Sequence, residues 1–145
     1  MASYKGKFKP KNPEKYIGNP TNIIYRSSWE LRLMRYFDSN PNIIQWGSEE
    51  IYIPYISPLD KKIHRYFPDF VVKMKVKDGT INTTMIEVKP YNQTKEPIRQ
   101  ENHPRRYLKE VYTWGVNQAK WKAAAEFCKD RRWDFKIMTE KDIGV

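Results

Sequence analysis

One early segment of the chain repeats apolar side chains at the helical period. Four of them fall on a single stripe at i, i+4, i+7 and i+8, namely Trp29, Leu33, Tyr36 and Phe37. Ser27 or Ser28 precedes the stripe and is suited to cap a helix, while Asn40-Pro41 follows it and ends one. The pattern therefore predicts a first helix that ends near Asp38.

Three segments that follow alternate apolar and polar side chains at the period of a β-strand. They cover residues 49–56, 65–76 and 83–89. Pro54 places the first of these strands at the edge of a sheet, because proline has no N–H to donate. Asp78-Gly79 stands between the other two strands and is typical of a hairpin turn. We therefore expect the second and third strands to pair antiparallel.

The last third of the chain predicts a long loop, a helical region and a final strand. Residues 91–104 are polar and proline-containing, so we expect a loop. Two helical segments should follow, 105–114 and 118–131, separated by Gly115, with Asn117 as the cap of the second. Residues 133–139 alternate again as a strand. The order helix, three strands, helix, strand predicts an α/β fold with a mixed sheet and helices against it.

Length and composition narrow the class of protein. A chain of 145 residues with 39% hydrophobic side chains favours one globular domain with a real core. No apolar run approaches the ~20 residues that span a bilayer, and the basic, polar N-terminal stretch is not typical of a secretory signal. One cysteine excludes an internal disulfide and fits a reducing compartment, and with only two histidines we expect no structural zinc site.

Charge points to a polyanionic partner. Lys and Arg number 27 against 17 Asp and Glu, for a net charge of +10, and aromatic residues are interleaved with the basic ones. This favours nucleic acid as the partner, over the alternative of a protein that is merely basic.

We expect residues 1–22 to form a basic arm and 23–145 the domain. In the arm, lysines alternate with Tyr4, Phe8 and Tyr16, which favours phosphate contacts and base stacking; a solvated extension is the alternative.

Two acids and a lysine interrupt the predicted second and third strands. Glu87 and Lys89 are two residues apart and so share one face of the sheet. Asp69 joins them only if it lies opposite an odd-numbered residue. A two-residue turn at Asp78-Gly79 would pair position 69 with 88 and separate the carboxylates. Convergence therefore requires a loop one residue longer or shorter, or a bulge.

Such a cluster suggests hydrolysis of a phosphodiester. Two adjacent carboxylates repel each other unless a cation neutralises them, and Mg²⁺ is the usual hard cation beside phosphates. The backbone carbonyl of Val88 can supply a further ligand, and Lys89 can hold or help to deprotonate a water. The alternatives are a solvated strand face or simple ion pairing, for example between Glu87 and Lys73.

These residues resemble a known nuclease signature. Pro68-Asp69 followed by Glu87-x-Lys89 is similar to the PD-(D/E)xK motif, on consecutive strands. Further blocks, in the order YRSSWE, NPNIIQWGSE, RYFPDF, IEVKP, VYTWGVNQAKWKAA and FKIMTE, resemble head-completion nucleases of tailed phages and the nuclease subunit of some cut-and-paste transposons. The resemblance runs from about Tyr25 to Glu140. It implies a restriction-endonuclease-like core and a metal-dependent DNA endonuclease that acts in phage head completion or DNA packaging, in the virion or the host cytoplasm.

The resemblance also assigns roles to single residues. Asp69, Glu87 and the Val88 carbonyl would bind Mg²⁺, with Mn²⁺ able to substitute, and Lys89 would position the attacking water. Glu30, where many members carry an acid on the first helix, would assist as a ligand of metal or water. The alternative for Glu30 is the capping box Ser27-x-x-Glu30.

The partner expected is double-stranded DNA, with phage portal or head proteins as further candidates. Basic side chains suited to phosphate are Arg26, Arg65, Arg105, Arg106 and Lys120, the last with a solvated face as its alternative. Two rival functions remain open at this stage. One is a basic DNA-binding or portal-binding protein without catalysis, and the other is a resolvase of branched DNA.

Overall fold

A four-stranded mixed sheet forms the centre of the protein, for which the computed structural model describes residues 5–144. In chain order the elements are β1 (Gly6–Phe8), β2 (Ile23–Tyr25), α1 (Ser28–Ser39), β3 (Ile43–Ser48), β4 (Ile53–Ile56), β5 (Ile63–Tyr66), β6 (Phe70–Lys75), β7 (Ile81–Val88), α2 (Pro104–Arg131), β8 (Asp134–Met138) and α3 (Glu140–Ile143), with 3-10 turns at Pro13–Lys15 and Tyr91–Thr94. No helix within these residues has the length and apolar character that crossing a bilayer requires.

The central sheet has the order β3-β6-β7-β8. Its first three strands are antiparallel, and β8 runs parallel to β7. Two smaller sheets, β1-β2 and β4-β5, have two strands each. The predicted α/β class with a mixed central sheet is therefore confirmed.

Helices cover both faces of the central sheet because both faces are apolar. Side chains such as Phe70 and Ile86 pack with α1 in one buried cluster. Val71 and Met85, their neighbours in sequence, point the other way and pack with Trp121 of α2 in a second cluster. The two clusters fix α1 and α2 on opposite sides of β6 and β7.

Several predicted elements differ from the structure, and the strand expected over residues 49–56 begins only at Ile53. The prediction missed β3, since a bulge between Ile43 and Gln45 breaks the two-residue period. The single strand expected over residues 65–76 is divided at Pro68 into β5 and β6, which belong to different sheets. The two helical segments form the one helix α2, so Asn117 is a buried position inside the helix and not a cap.

The first helix begins and ends close to its predicted bounds. Ser27 caps it by accepting a hydrogen bond from the backbone N–H of Glu30 at 3.0 Å. The buried stripe differs in two of its four members: Tyr36 is 51% exposed and Trp29 is only partly buried, whereas Met34 is fully buried. The helical period was therefore correct, and the buried face is rotated slightly from the predicted one.

The described part of the predicted arm, residues 5–22, packs against α1 and β3; Tyr4 lies outside the described residues. Phe8 and Tyr16 are buried beside Trp46, so they are not the free stacking faces that we expected. The Lys15 ammonium donates to three backbone carbonyls at the C-terminal end of α1, those of Phe37, Asp38 and Asn40, at 2.7–2.9 Å. This lysine therefore serves the helix and not a phosphate.

Candidate active site

The register of the β6–β7 hairpin brings the two predicted carboxylates together. Phe70 pairs with Ile86, so the next position outward sets Asp69 opposite Glu87. The turn that creates this register has three residues, 77–79: Val76 N–H donates to Thr80 O, and Gly79 lies at φ +87°. Glycine suits this left-handed position because it has no Cβ. The loop is thus one residue longer than the two-residue turn, which is one of the arrangements that convergence required.

Burial raises the pKa of both carboxyl groups, and the charge of Asp69 adds to the shift of Glu87. Glu87 is 6% exposed. Burial, followed by the negative charge of Asp69, raises the pKa of Glu87 to about 8. Burial also raises the pKa of Asp69, although the Val88 N–H, which donates to its Oδ2 at 2.7 Å, opposes the shift. In the protein alone, the pair therefore retains a proton at pH values where isolated carboxyls are ionised.

The structure leaves acceptor atoms at this pair without donors. Among the described residues, Glu87 Oε1 is buried and has no hydrogen-bond partner. Register places Val88 opposite Pro68, which has no N–H to offer the Val88 carbonyl. Oxygen atoms without donors, beside two carboxylates, are the ligand set that a hard divalent cation prefers. No group of three or more His, Cys, Asp or Glu side chains forms a ready-made metal centre within residues 5–144, so a cation here would depend on the backbone carbonyl or on Glu30.

Lys89 lies next to the pair on the same strand face as Glu87. Its Nζ is 4.0 Å from Glu87 Oε2, and its side chain is partly exposed. The ammonium group thus stands at the border between the buried carboxylates and solvent. This is a suitable position for holding a water or a phosphate oxygen beside them.

Glu30 reaches the same region from the first turn of α1. Burial raises its pKa to about 7, and the negative charge of Asp69 is the second cause. Glu30 Oε1 also accepts a 3.3 Å hydrogen bond from the backbone N–H of Arg26, which is a helix-capping contact one residue before the Ser27 cap. The structure therefore supports a local role for Glu30 and also its proximity to Asp69.

The sequence analysis missed one acid at this site, Glu49. Ser48 pairs with Phe70, so Glu49 follows opposite Asp69, and its N–H donates to Asp69 O at 3.1 Å. The Glu49 backbone is left-handed, at φ +52°, an uncommon conformation for a side chain of this size. Recognition of β3 as a strand would have revealed Glu49, because its position follows from the pairing of β3 with β6.

The predicted basic contacts are distributed unevenly around the pair. Lys120 is closest: its Nζ lies 5.6 Å from the ring centre of Tyr66, whose buried hydroxyl has a pKa raised by burial and by Glu87. Arg26 forms an ion pair with Glu49. Arg105 and Arg106 are exposed in the first turn of α2, about 20 Å along the helix axis from Lys120.

Comparison with known proteins finds one matching family and one similar phage protein. The family described as TnsA-like endonuclease N-terminal matches residues 40–140, which include Asp69, Glu87 and Lys89. The chain is also similar to the head completion nuclease of Enterobacteria phage T4. The two are 41% identical over 145 residues, which cover 97% of this chain and 94% of the phage T4 protein.

Proposed function

Because the chain belongs to the family of TnsA-like endonucleases, we propose that it hydrolyses internal phosphodiester bonds of DNA with the help of a divalent cation. The observation that carries this proposal is the register that sets Asp69 opposite Glu87, with Lys89 Nζ 4.0 Å from Glu87. The near full-length similarity to the phage T4 protein supports a nuclease role in the completion of phage heads.

Asp69, Glu87 and the Val88 carbonyl would hold the cation, and Glu30 would assist as a ligand of the cation or of a water. Mg²⁺ is the expected ion, with Mn²⁺ able to substitute. When bound, such an ion lowers the pKa of a water ligand and stabilises charge on the phosphoryl oxygens. The unpartnered Glu87 Oε1 and the raised pKa of Glu87 support this assignment, because both indicate negative charge that the protein alone does not neutralise.

Lys89 then acts on the attacking water. Its ammonium group would hold the water oxygen in line with the phosphorus and donate to a non-bridging phosphate oxygen. The water gives up a proton to solvent as its oxygen bonds to phosphorus, the P–O bond to one deoxyribose breaks, and the leaving oxygen takes up a proton from solvent.

The basic surface would hold the DNA backbone around the cut. Lys120 lies near Tyr66 and Glu87 and would contact a phosphate beside the cleaved one. Arg65 would contact the DNA close to the cut, and Arg105 and Arg106 would contact phosphates farther along the DNA. Arg26 would do so after it leaves Glu49. Portal or head proteins are further candidate partners, in the virion or in the host cytoplasm.

The test is cleavage of supercoiled plasmid by the purified chain, with Mg²⁺ or with EDTA. Wild type should nick and linearise the plasmid only with the cation. Asp69→Asn and Lys89→Ala should each lower the rate about a thousandfold or more, since each removes several kcal/mol of transition-state stabilisation. DNA affinity should change little, because each variant alters one charge of a surface with a net charge of +10.

Matched variants control for charge and folding. Asp78→Asn makes the same change in the turn at the far end of the β6–β7 hairpin, where asparagine also fits. Lys136→Ala removes one positive charge from β8, on the face opposite Lys89. Both should cut at the wild-type rate. Equal cleavage by wild type and Asp69→Asn would refute the catalytic assignment, and cation-independent binding without any cleavage would favour the rival non-catalytic DNA-binding role.

A further inference from the structure

Two exposed aromatic rings and a guanidinium group lie together on the surface, just before Asp69 in the chain. Tyr52 and Phe67 are 47% and 42% exposed, and their ring centres are 5.7 Å apart. The Arg65 guanidinium lies over the Tyr52 ring, 4.8 Å from its centre. The two rings are tilted by 46° to each other, so each keeps exposed surface. Single exposed aromatic residues are common on proteins, whereas a contiguous exposed group of two rings and a guanidinium is typical of a binding surface.

The fold holds this group in place. In the β4–β5 hairpin, Ile53 pairs with Tyr66 and Pro54 with Arg65, so Tyr52 and Phe67 face each other at its base. Tyr66 is buried on one side of Phe67 and Pro68 on the other. The exposed rings are therefore part of a rigid segment.

The position of the group relates it to the candidate active site. Phe67 is two residues from Asp69, and two extended residues span at most about 7 Å. One strand of duplex DNA advances about 3.4 Å per nucleotide. A phosphate held at Asp69 would therefore have its neighbouring one or two nucleotides within reach of the rings.

We propose that Tyr52, Phe67 and Arg65 form a stacking platform for a DNA base next to the phosphate that is cut. This inference rests on the proposed nuclease function and specifies its substrate class. Inside an intact duplex, neighbouring base pairs cover both faces of each base. The platform therefore selects DNA with a free base face near the cut, as in an overhang, a gap or a duplex end.

The chemistry of the surface favours DNA over a protein partner. Aromatic rings accept bases of any sequence, and arginine adds attraction to both the base and the phosphate. The chain carries a net charge of +10, which attracts a polyanion to this face. A partner surface that is only hydrophobic would leave the guanidinium group over Tyr52 without an anion to pair with.

The test measures binding separately from cleavage, in EDTA and in the Asp69→Asn background. One probe carries 2-aminopurine in a single-stranded overhang, and the second carries it inside the same duplex. Stacking on the platform should quench the overhang probe. Tyr52→Leu and Phe67→Leu should abolish the quenching and weaken overhang affinity by about 5- to 140-fold, the equivalent of 1–3 kcal/mol per stacked base. Affinity for the interior probe should stay within about twofold.

Tyr36→Leu is the matched control, because Tyr36 is equally exposed, at 51%, but lies on α1 across the sheet. Tyr36→Leu should change neither the affinity for the two probes nor their quenching. Thermal melting of each variant verifies that it is folded. The platform would be overturned if Tyr52→Leu and Phe67→Leu bound the overhang probe as wild type does, or if they lost affinity equally for both probes. The first of these results would favour a protein as the partner of this face. Plasmid cleavage by Asp69→Asn would instead overturn the nuclease assignment and leave the platform result intact.

Discussion

Replacement of Glu87 by glutamine should stabilise the protein in the absence of metal, by an amount that grows as the pH rises from about 4.5 to about 8. Burial and Asp69 raise the pKa of Glu87 from 4.5 to about 8. Between these values the folded chain keeps a proton that the unfolded chain has lost. The folded state then binds more protons, so the free energy of unfolding falls as pH rises through this window. A glutamine side chain has no such proton to lose, so the Glu87→Gln variant escapes this fall.

The expected size of the effect follows from the pKa shift. A shift of about 3.5 units at 1.36 kcal/mol per unit gives about 5 kcal/mol as an upper bound. The pKa of about 8 already includes the attraction between Glu87 and Lys89, so this bound applies to the whole difference between wild type and the variant. Urea unfolding followed by tryptophan fluorescence, in EDTA, should show nearly equal stability at pH 4.5 and a more stable Glu87→Gln variant at pH 9.

Glu126→Gln, at an exposed position of α2, is the control and should show no such pH-dependent difference. Mg²⁺ at pH 9 should stabilise wild type, because the cation binds the folded state. The gap, which is the difference in the free energy of unfolding between wild type and the Glu87→Gln variant, should therefore become smaller. A gap that is the same at pH 4.5 and pH 9 would refute the view that Glu87 is a destabilising buried acid. Failure of Mg²⁺ to narrow the gap would count against Glu87 as a ligand.

Two further substitutions test the surroundings of the site. Lys15→Met removes the ammonium group that donates hydrogen bonds to three carbonyls at the end of α1. In urea denaturation it should lower the free energy of unfolding by about 1–3 kcal/mol. Lys9→Met, at an exposed position, is the control and should change that free energy by about 0.5 kcal/mol or less. Pro68→Ala supplies an N–H opposite the Val88 carbonyl and should weaken Mg²⁺ binding measured by calorimetry; unchanged affinity would argue against that carbonyl as a ligand.

Local features of the sequence predicted much of the fold. The Ser27 cap and the helical period gave α1 within about a residue at each end, because capping and periodicity depend on neighbours within one or two turns. Alternation along the predicted strand also placed Glu87 and Lys89 on one face, whereas the addition of Asp69 depended on a turn length that the sequence left open. Their catalytic roles stay predictions until the variants above are measured.

Other features depended on packing between distant segments. Gly115 does not divide α2, since burial of Trp121 and Cys128 along the helix outweighs a glycine cost of about 1 kcal/mol. Phe8 and Tyr16 looked like free stacking faces but are buried, because pairing of β1 with β2 and contact with Trp46 cover them. The residues close in sequence to either segment do not indicate these contacts.

The sequence by itself determined which side chains are available for chemistry and which strand face each one occupies. Tertiary structure decided whether those faces coincide: a three-residue turn pairs Asp69 with Glu87, and β3 adds Glu49 on the other side of Asp69. The physical reason is that strand register is set by turn geometry and by the packing of both sheet faces. A shift of one residue keeps every local preference and moves a carboxylate to the opposite side of the sheet.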